Sequence, residues 1–422
     1  MAVPSTPLTP AEAGSIASGG FEKKYLIPFI LVTSLFFLWG LANILNSALI
    51  AHFQPLFEIS RGEALLVETA FYFGYFLIAI PAGLFMEGKG YKKGIILGLL
   101  LYAVGALLFI PAAETLTFGF FLGALFVIAS GLAFLETAAN PYVTILGKPR
   151  TAVQRLNLSQ SFNGVALIVG PVLASQLIFA GNEGELITEA AKQKAADAVI
   201  VPYIGIAVVV LIVAFLFSLS KMPEPAKSGR LRFDRSIFKH RHLTRGIVAQ
   251  FFYVGAQASI WGITIDFVIH LLPGISREAA SGAYLAAGTF LFVMGRFIGT
   301  FLMSYVKENR LLWIFAACAV LLCMLGIYAG GKLAVYSVLG VNFFMSIMFP
   351  TIFALGVKDL GEHTKLGSSF LIMAIVGGAA LPPIVGAVSD KMGIQTCFWI
   401  PAVCFMVVLF YGLRGYKIQG AS

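Results

Sequence analysis

Glu136 and Asn140 stand one helical turn apart inside a long apolar run. Bringing an ionisable group to mid-bilayer depth costs roughly 2.5–3.5 kcal/mol or more, so such a group faces a cavity or a partner. Desolvation disfavours the charged carboxylate, which suits a residue that gains and loses a proton in a cycle. Amides recur around it. Trp39, Asn43, Asn46 and Ser47 follow at i, i+4, i+7 and i+8, one polar face on an apolar helix. Gln160 and Asn163 share a face, with Arg155 and Asn157 just before them. Gln257 and Trp261 repeat the one-turn spacing, as do Asp266 and His270 further along the same run. Hydroxylated solutes need donors and acceptors together, which Asn and Gln supply, while apolar sugar faces rest on Trp or Tyr. The expected substrate-binding set is therefore Trp39, Asn43, Asn46, Glu136, Asn140, Gln160, Asn163, Gln257 and Trp261. The same amides also serve interhelical hydrogen bonding in lipid.

Other polar groups read differently. Glu68, Tyr72 and Tyr75 form one stripe, but Glu68 and Asp266 fall near the span ends, where solvated rim positions are expected. Arg296 either snorkels to the surface or pairs across helices. His52, His240, His242, His270 and His363 are scattered at span ends or in loops. Cys318, Cys323, Cys397 and Cys404 lie within apolar runs without metal-ligand spacing. No nucleophile–base pair, metal cluster or phosphate-cradling loop is visible, so neither an enzyme nor a cofactor or metal is expected.

The elements that must position these groups are membrane helices. Of 422 residues, 59% are hydrophobic and only 12% charged, whereas soluble domains carry about a quarter charged residues. Apolar runs give spans at roughly 26–50, 64–86, 94–113, 117–146, 157–180 and 200–219, then 245–271, 280–305, 311–329, 333–357, 366–388 and 396–413. The longest polar stretch divides six from six. The expected organisation is a disordered tail at 1–22, a bundle at 23–220, a linker at 221–242, a second bundle at 243–414 and a tail at 415–422. About 22 of the 29 Lys and Arg fall on one side of alternating loops, which places both termini in the cytoplasm. A nucleic-acid patch would not skip every second loop, so the net charge of +9 is a membrane signature.

The halves echo each other. Pro141 to Gly147 and Pro350 to Gly356 share their Pro-to-Gly spacing, and Ser161-Phe162 and Ser369-Phe370 each meet a glycine eight residues after the serine–phenylalanine pair, at Gly170 and Gly378. Such marks six spans apart point to parallel repeats. Mid-span glycines (Gly74, Gly98, Gly105, Gly123, Gly131, Gly164, Gly170, Gly377 and Gly378) suit close helix contact in lipid.

With these residues in view, the chain resembles the fucose–proton symporter family of the major facilitator superfamily. The resemblance runs over nearly the whole length. It rests on Phe37-Leu38-Trp39-Gly40, Phe71 to Phe76, Leu135-Glu136-Thr137-Ala138-Ala139-Asn140-Pro141, Arg155-Leu156-Asn157-Leu158 with Gln160, Phe162 and Asn163, Tyr253 to Gln257, and Lys365 to Phe370. It implies an all-α membrane protein of twelve helices in two pseudo-symmetric six-helix bundles, rocking about a central sugar cavity. It also implies a monomer in a bacterial inner membrane, with no resident cofactor and a coupling cation, H+ or Na+. Glu136 matches the family's fourth-span carboxylate, implicated in transport, and Asn43, Gln160 and Asn163 match its cavity amides. The family pattern has a second acid late in its first-span motif, where this chain has Ser47. Glu136, Ser47 and Asn43 are thus the cation-coupling candidates; a hydroxyl, an amide oxygen and a carboxylate could also assemble a sodium site, since hard cations prefer oxygen. Proton-coupled monosaccharide import is the favoured expectation, with sodium coupling as the alternative. An exporter of amphipathic compounds is a weaker reading, because its pocket would be mostly apolar.

Overall fold

The computed structural model describes residues 23–59, 63, 66–177, 188–224 and 235–418. The expected tail at 1–22 lies outside them, as do linker residues 225–234 and the last four residues of the chain. Among the described residues, twelve helices are long and apolar enough to cross a membrane. In chain order they are α1 (Lys23–Leu56), α2 (Leu66–Lys89), α3 (Tyr91–Leu107, continued by Phe109–Glu114), α4 (Phe118–Ile145), α5 (Ala152–Leu177) and α6 (Ile200–Leu219). The second six are α7 (Arg241–Leu271), α8 (Ala286–Leu302), α9 (Glu308–Tyr328), α10 (Gly331–Met345 and Met348–Gly356), α11 (Thr364–Met373 and Gly377–Met392) and α12 (Trp399–Phe410). No strand occurs among the described residues, as lipid requires when every backbone group must be satisfied within its own segment.

Several ends differ from the apolar runs. The first helix continues to Leu56, past the expected end at 50, because no breaker intervenes before Pro55, after which it ends within one residue. α10 is broken at Ser346 and Ile347, one turn before Pro350, whose ring displaces the Ser346 carbonyl and supplies no N–H to it. α11 is jointed by a tight turn at Ala374–Val376, just before Gly377 and Gly378. A short helix, Glu189–Asp197, precedes α6; Thr188 caps it by accepting from the Ala191 N–H at 3.2 Å. His52 meets the Ala195 carbonyl at 2.9 Å and Lys192 pairs with Glu58 at 2.7 Å, so this helix is strapped to the end of α1.

Helices within each half meet through small residues. A Cβ on Gly131 would stand 2.5 Å from the Gly98 carbonyl, and one on Gly98 would stand 2.8 Å from the Gly131 carbonyl. The α3–α4 contact is thus backbone on backbone, and neither side can retreat. Gly123, by contrast, faces open space. Gly131→Val is expected to cut the yield of monodisperse protein several-fold, as overpacking costs about 1–3 kcal/mol. Gly123→Ala should leave that yield unchanged, and size-exclusion chromatography of both variants checks the pair.

The polar connection after α6 is fastened to its own half. Glu224 accepts the N–H groups of Tyr91 at 3.0 Å and Lys92 at 2.7 Å, neutralising the start of α3. The Lys92 ammonium donates to the carbonyls of Ser218 and Ser220, each at 2.8 Å. The Tyr142 hydroxyl donates to the Pro223 carbonyl at 2.9 Å. Arg155 similarly gathers the end of α4 and its loop, donating to the carbonyls of Val143, Thr144 and Lys148.

The two halves meet along a seam formed by α2, α4 and α5 on one side and α8, α10 and α11 on the other. Side-chain hydrogen bonds that cross it cluster toward the end of the molecule bearing Lys89–Lys93, Lys307, Lys358 and Lys365, here called the basic end. Gln154 donates to Ser304 at 2.8 Å and to the Thr300 carbonyl at 3.3 Å, and Asn157 donates to Thr351 at 3.2 Å. The Lys365 ammonium lies over the Tyr91 ring, 5.2 Å from its centre. A side chain at Gly83 would collide with Ser369, so α2 and α11 lie in close contact there. This conformer is closed at its basic end.

Candidate functional site

Glu136 sits on α4 with 5% of its surface exposed. Tyr75, on α2, donates its hydroxyl to one carboxyl oxygen at 2.7 Å. The second oxygen has no hydrogen-bond partner among the described residues. One turn on, Asn140 donates to the Glu136 backbone carbonyl at 2.9 Å, and Gln160 of α5 donates to the Asn140 side-chain oxygen at 3.0 Å. The amides are thus oriented in series, each using its NH2 toward the previous member. The series then crosses the seam: Arg296 of α8 donates to the Gln160 carbonyl at 2.8 Å and to the Ser346 carbonyl of α10 at 2.8 Å.

Arg296 is 3% exposed, and its guanidinium carbon lies 4.4 Å from the centre of the Phe292 ring. It pairs across helices and does not snorkel, which decides between the two sequence-based expectations for this residue. Ser346 lies where α10 is interrupted, and its i+4 residue is Pro350, so the arginine satisfies a carbonyl that has no helical donor. Phe292 also meets Trp261 edge-on at 5.3 Å, and the Trp261 indole N–H donates to Asn342 of α10 at 2.8 Å. Gln257, one turn before Trp261, is half-buried and makes no hydrogen bond among the described residues. In the second half Phe292, Trp261 and Asn342 thus form a linked set of rings and amide that Arg296 joins to Gln160 of the first.

Other members of the expected set are placed less openly. Trp39 is only 2% exposed and rests on Phe36 with ring centres 4.1 Å apart, so its faces serve packing within the first half in this conformer. Asn163 donates to the Phe36 carbonyl at 3.3 Å, which joins α5 to α1. Asn43 is half-buried on α1, and the buried Asn46 leaves its side-chain oxygen without a partner. The side chain of Ser47 lies outside the described ones. Asp266 pairs with Arg277 at 2.5 Å near the end opposite the basic one, and both are substantially exposed. That is the rim position expected for it. Among the described residues no group of three or more His, Cys, Asp or Glu could hold a metal ion.

Beyond Arg296 and Phe292, the site holds Tyr75, Asn342 and Ser346, none of them in the expected set. Tyr75 shares a stripe with Glu68 and Tyr72, but nothing in spacing alone aims its hydroxyl at Glu136. Asn342 was the legible one, a single amide within an apolar stretch that had no other reason to contain it. Ser346 takes part through its backbone; the signal for that is Pro350, four residues on, which cannot donate to the Ser346 carbonyl.

Comparison with known proteins agrees with this architecture. Residues 29–375 match the Major Facilitator Superfamily. The chain is 42% identical to the L-fucose-proton symporter of Escherichia coli (strain K12), covering 93% of this chain and 94% of that protein. It is 40% identical to a glucose/galactose transporter of Brucella abortus, covering 94% and 96%. A crystal structure of a Major Facilitator Superfamily transporter, FucP, in the outward conformation superposes with a TM-score of 0.86 at 40% identity, covering 94% of this chain and 100% of that one. The chain is a multi-pass membrane protein that belongs to the Major Facilitator Superfamily, within its fucose–proton symporter family.

Proposed function

We propose that this chain imports a monosaccharide of the fucose, glucose or galactose type by proton-coupled symport. The observation that carries the reading is the buried Glu136, held by Tyr75 and linked through Asn140 and Gln160 to Arg296 across the seam. Glu136 takes up the proton. Asn43, Asn46, Gln160, Asn163 and Gln257 supply hydrogen bonds to sugar hydroxyls, and Trp39 and Trp261 supply apolar faces once the bundles rearrange around the substrate. Residues 23–220 and 243–414 act as the two rocking units, joined by 221–242. Substrate and proton bind near the midplane of the cleft, and occupancy by both favours the switch more than occupancy by either alone.

The lysine and arginine asymmetry puts the basic end and both termini in the cytoplasm of a bacterial inner membrane. On that orientation the conformer is closed inward and faces outward, in line with the relative solved in its outward conformation. The chain acts as a monomer. The fucose relatives are named as proton symporters, and nothing in the comparisons supports the sodium-coupled alternative. Ser47 then leaves Glu136 as the single titratable carrier among the candidate coupling residues.

The test is uptake of labelled L-fucose, D-glucose and D-galactose into proteoliposomes under an imposed pH or sodium gradient. An acidic exterior should drive accumulation of at least one of them. A sodium gradient at equal pH should not. Accumulation driven by sodium alone would overturn the assignment of the coupling ion.

A further inference from the structure

A groove of about 270 Å3 lies between α2, α7 and α11, lined by Phe76, Val248, Phe251, Phe252, Met373 and Val376 among others, all apolar. Phe76 and Val248 are exposed, so the groove opens on the outer wall of the protein, which in a membrane protein faces acyl chains. It straddles the seam, because Phe76 belongs to one half and the α7 and α11 residues to the other. The basic end carries a second feature in line with it. Arg241, Arg245, Val248 and Phe252 follow at i, i+4, i+7 and i+11 on α7, which places them along one helix face. Both arginines are exposed, and neither makes a hydrogen bond or ion pair among the described residues. A phosphate is a group whose oxygens such exposed guanidinium pairs bind bidentately.

Dimensions agree with one ligand spanning both features. From Arg241 to Phe252 the helix rises about 16 Å at 1.5 Å per residue. Half of a hydrocarbon core is about 15 Å deep. We infer that this face binds an anionic phospholipid, its phosphate on Arg241 and Arg245 and one acyl chain in the groove. The chain bridges the two halves where they touch in this conformer, so the lipid stabilises closure of the basic end. Zwitterionic lipids share the tail but carry no net negative charge for the arginines, and inorganic phosphate has no tail for the groove.

Native mass spectrometry of the full chain in detergent, titrated with phosphatidylglycerol, phosphatidylcholine or inorganic phosphate, tests this. Wild-type protein should retain phosphatidylglycerol in preference to phosphatidylcholine. The double variant Arg241→Gln/Arg245→Gln should lose about tenfold or more in affinity for phosphatidylglycerol, since each basic side chain near anionic lipid contributes substantially. Val248→Trp, which fills the mouth of the groove from an exposed position, should lower retention while both arginines remain. Both variants change exposed residues only and should elute and melt like wild type without added lipid. Equal retention of the two lipids, an unchanged affinity in the double variant, or binding of inorganic phosphate as tight as that of phosphatidylglycerol would each overturn the inference.

Discussion

Glu136→Gln is expected to abolish uphill sugar accumulation while sugar-for-sugar exchange continues. Glutamine keeps the volume of the side chain and its carbonyl still accepts from Tyr75, so the local fold survives. It cannot release a proton. The variant is fixed in the equivalent of the protonated state, which binds sugar and crosses the membrane but cannot return unloaded with its proton discharged. A gradient of one pH unit is worth about 1.4 kcal/mol per proton, so one-to-one coupling supports about tenfold accumulation. The variant should stay near onefold under the same gradient, and counterflow should remain within a few-fold of wild type. Tyr75→Phe is the informative companion, because it removes a neutral donor to the carboxyl and should reduce accumulation without eliminating it. Full gradient-driven accumulation by Glu136→Gln would remove the residue from the mechanism.

The second large effect belongs to Arg296→Gln. The guanidinium joins Gln160 of one half to Ser346 of the other, and both acceptors are buried. Hydrogen bonds from a charged donor contribute about 1.5–3 kcal/mol each, and an acceptor left bare adds its own desolvation cost. Only the bond to Gln160 crosses the seam, so its loss weakens the conformer closed at the basic end specifically. A shift of about 1.4 kcal/mol or more changes the ratio of conformers at least about tenfold. The readout is thiol labelling at Thr300→Cys, a position 7% exposed beside the Gln154 bond, in a background with the native cysteines replaced by alanine. Labelling should quicken about tenfold in Arg296→Gln and less in Arg296→Lys, which keeps the charge but not the fork. Equal labelling rates in all three proteins would show that the arginine does not hold the seam.

Much of the architecture was legible in the sequence because lipid imposes a blunt rule on composition. Each spanning helix announces itself as an apolar run, and the charged stretch after α6 divides them. What failed to show was governed by local competition. The helix Glu189–Asp197 carries Lys192, Gln193 and Lys194, so it reads as loop until its contacts with α1 are seen. The interruption of α10 falls at Ser346 and Ile347, residues that continue helices readily; its cause is four residues on, where Pro350 has no N–H to return to the Ser346 carbonyl, and Arg296 occupies that carbonyl instead. In the candidate site, Glu136, Asn140 and Gln160 were visible as polar groups that an apolar helix would not carry without reason. Their order in a series was not, because an amide does not declare which of its ends it will use. Asn163 illustrates the other outcome, an amide with the same signature that joins two helices of one half.

The fastening at Glu224 sets where motion has to be absorbed. Since its carboxylate holds the first two backbone N–H groups of α3, and Pro223 is tied to Tyr142, the chain leaves the first half as a fixed stub. Any hinge between the halves therefore begins after residue 224, and the tether's effective length is shorter than the polar stretch suggests. Tyr91, whose N–H the stub holds, is also the ring beneath Lys365. Cutting the stub loose with Glu224→Ala would lengthen the leash and unsettle the footing of a cross-half contact in one stroke.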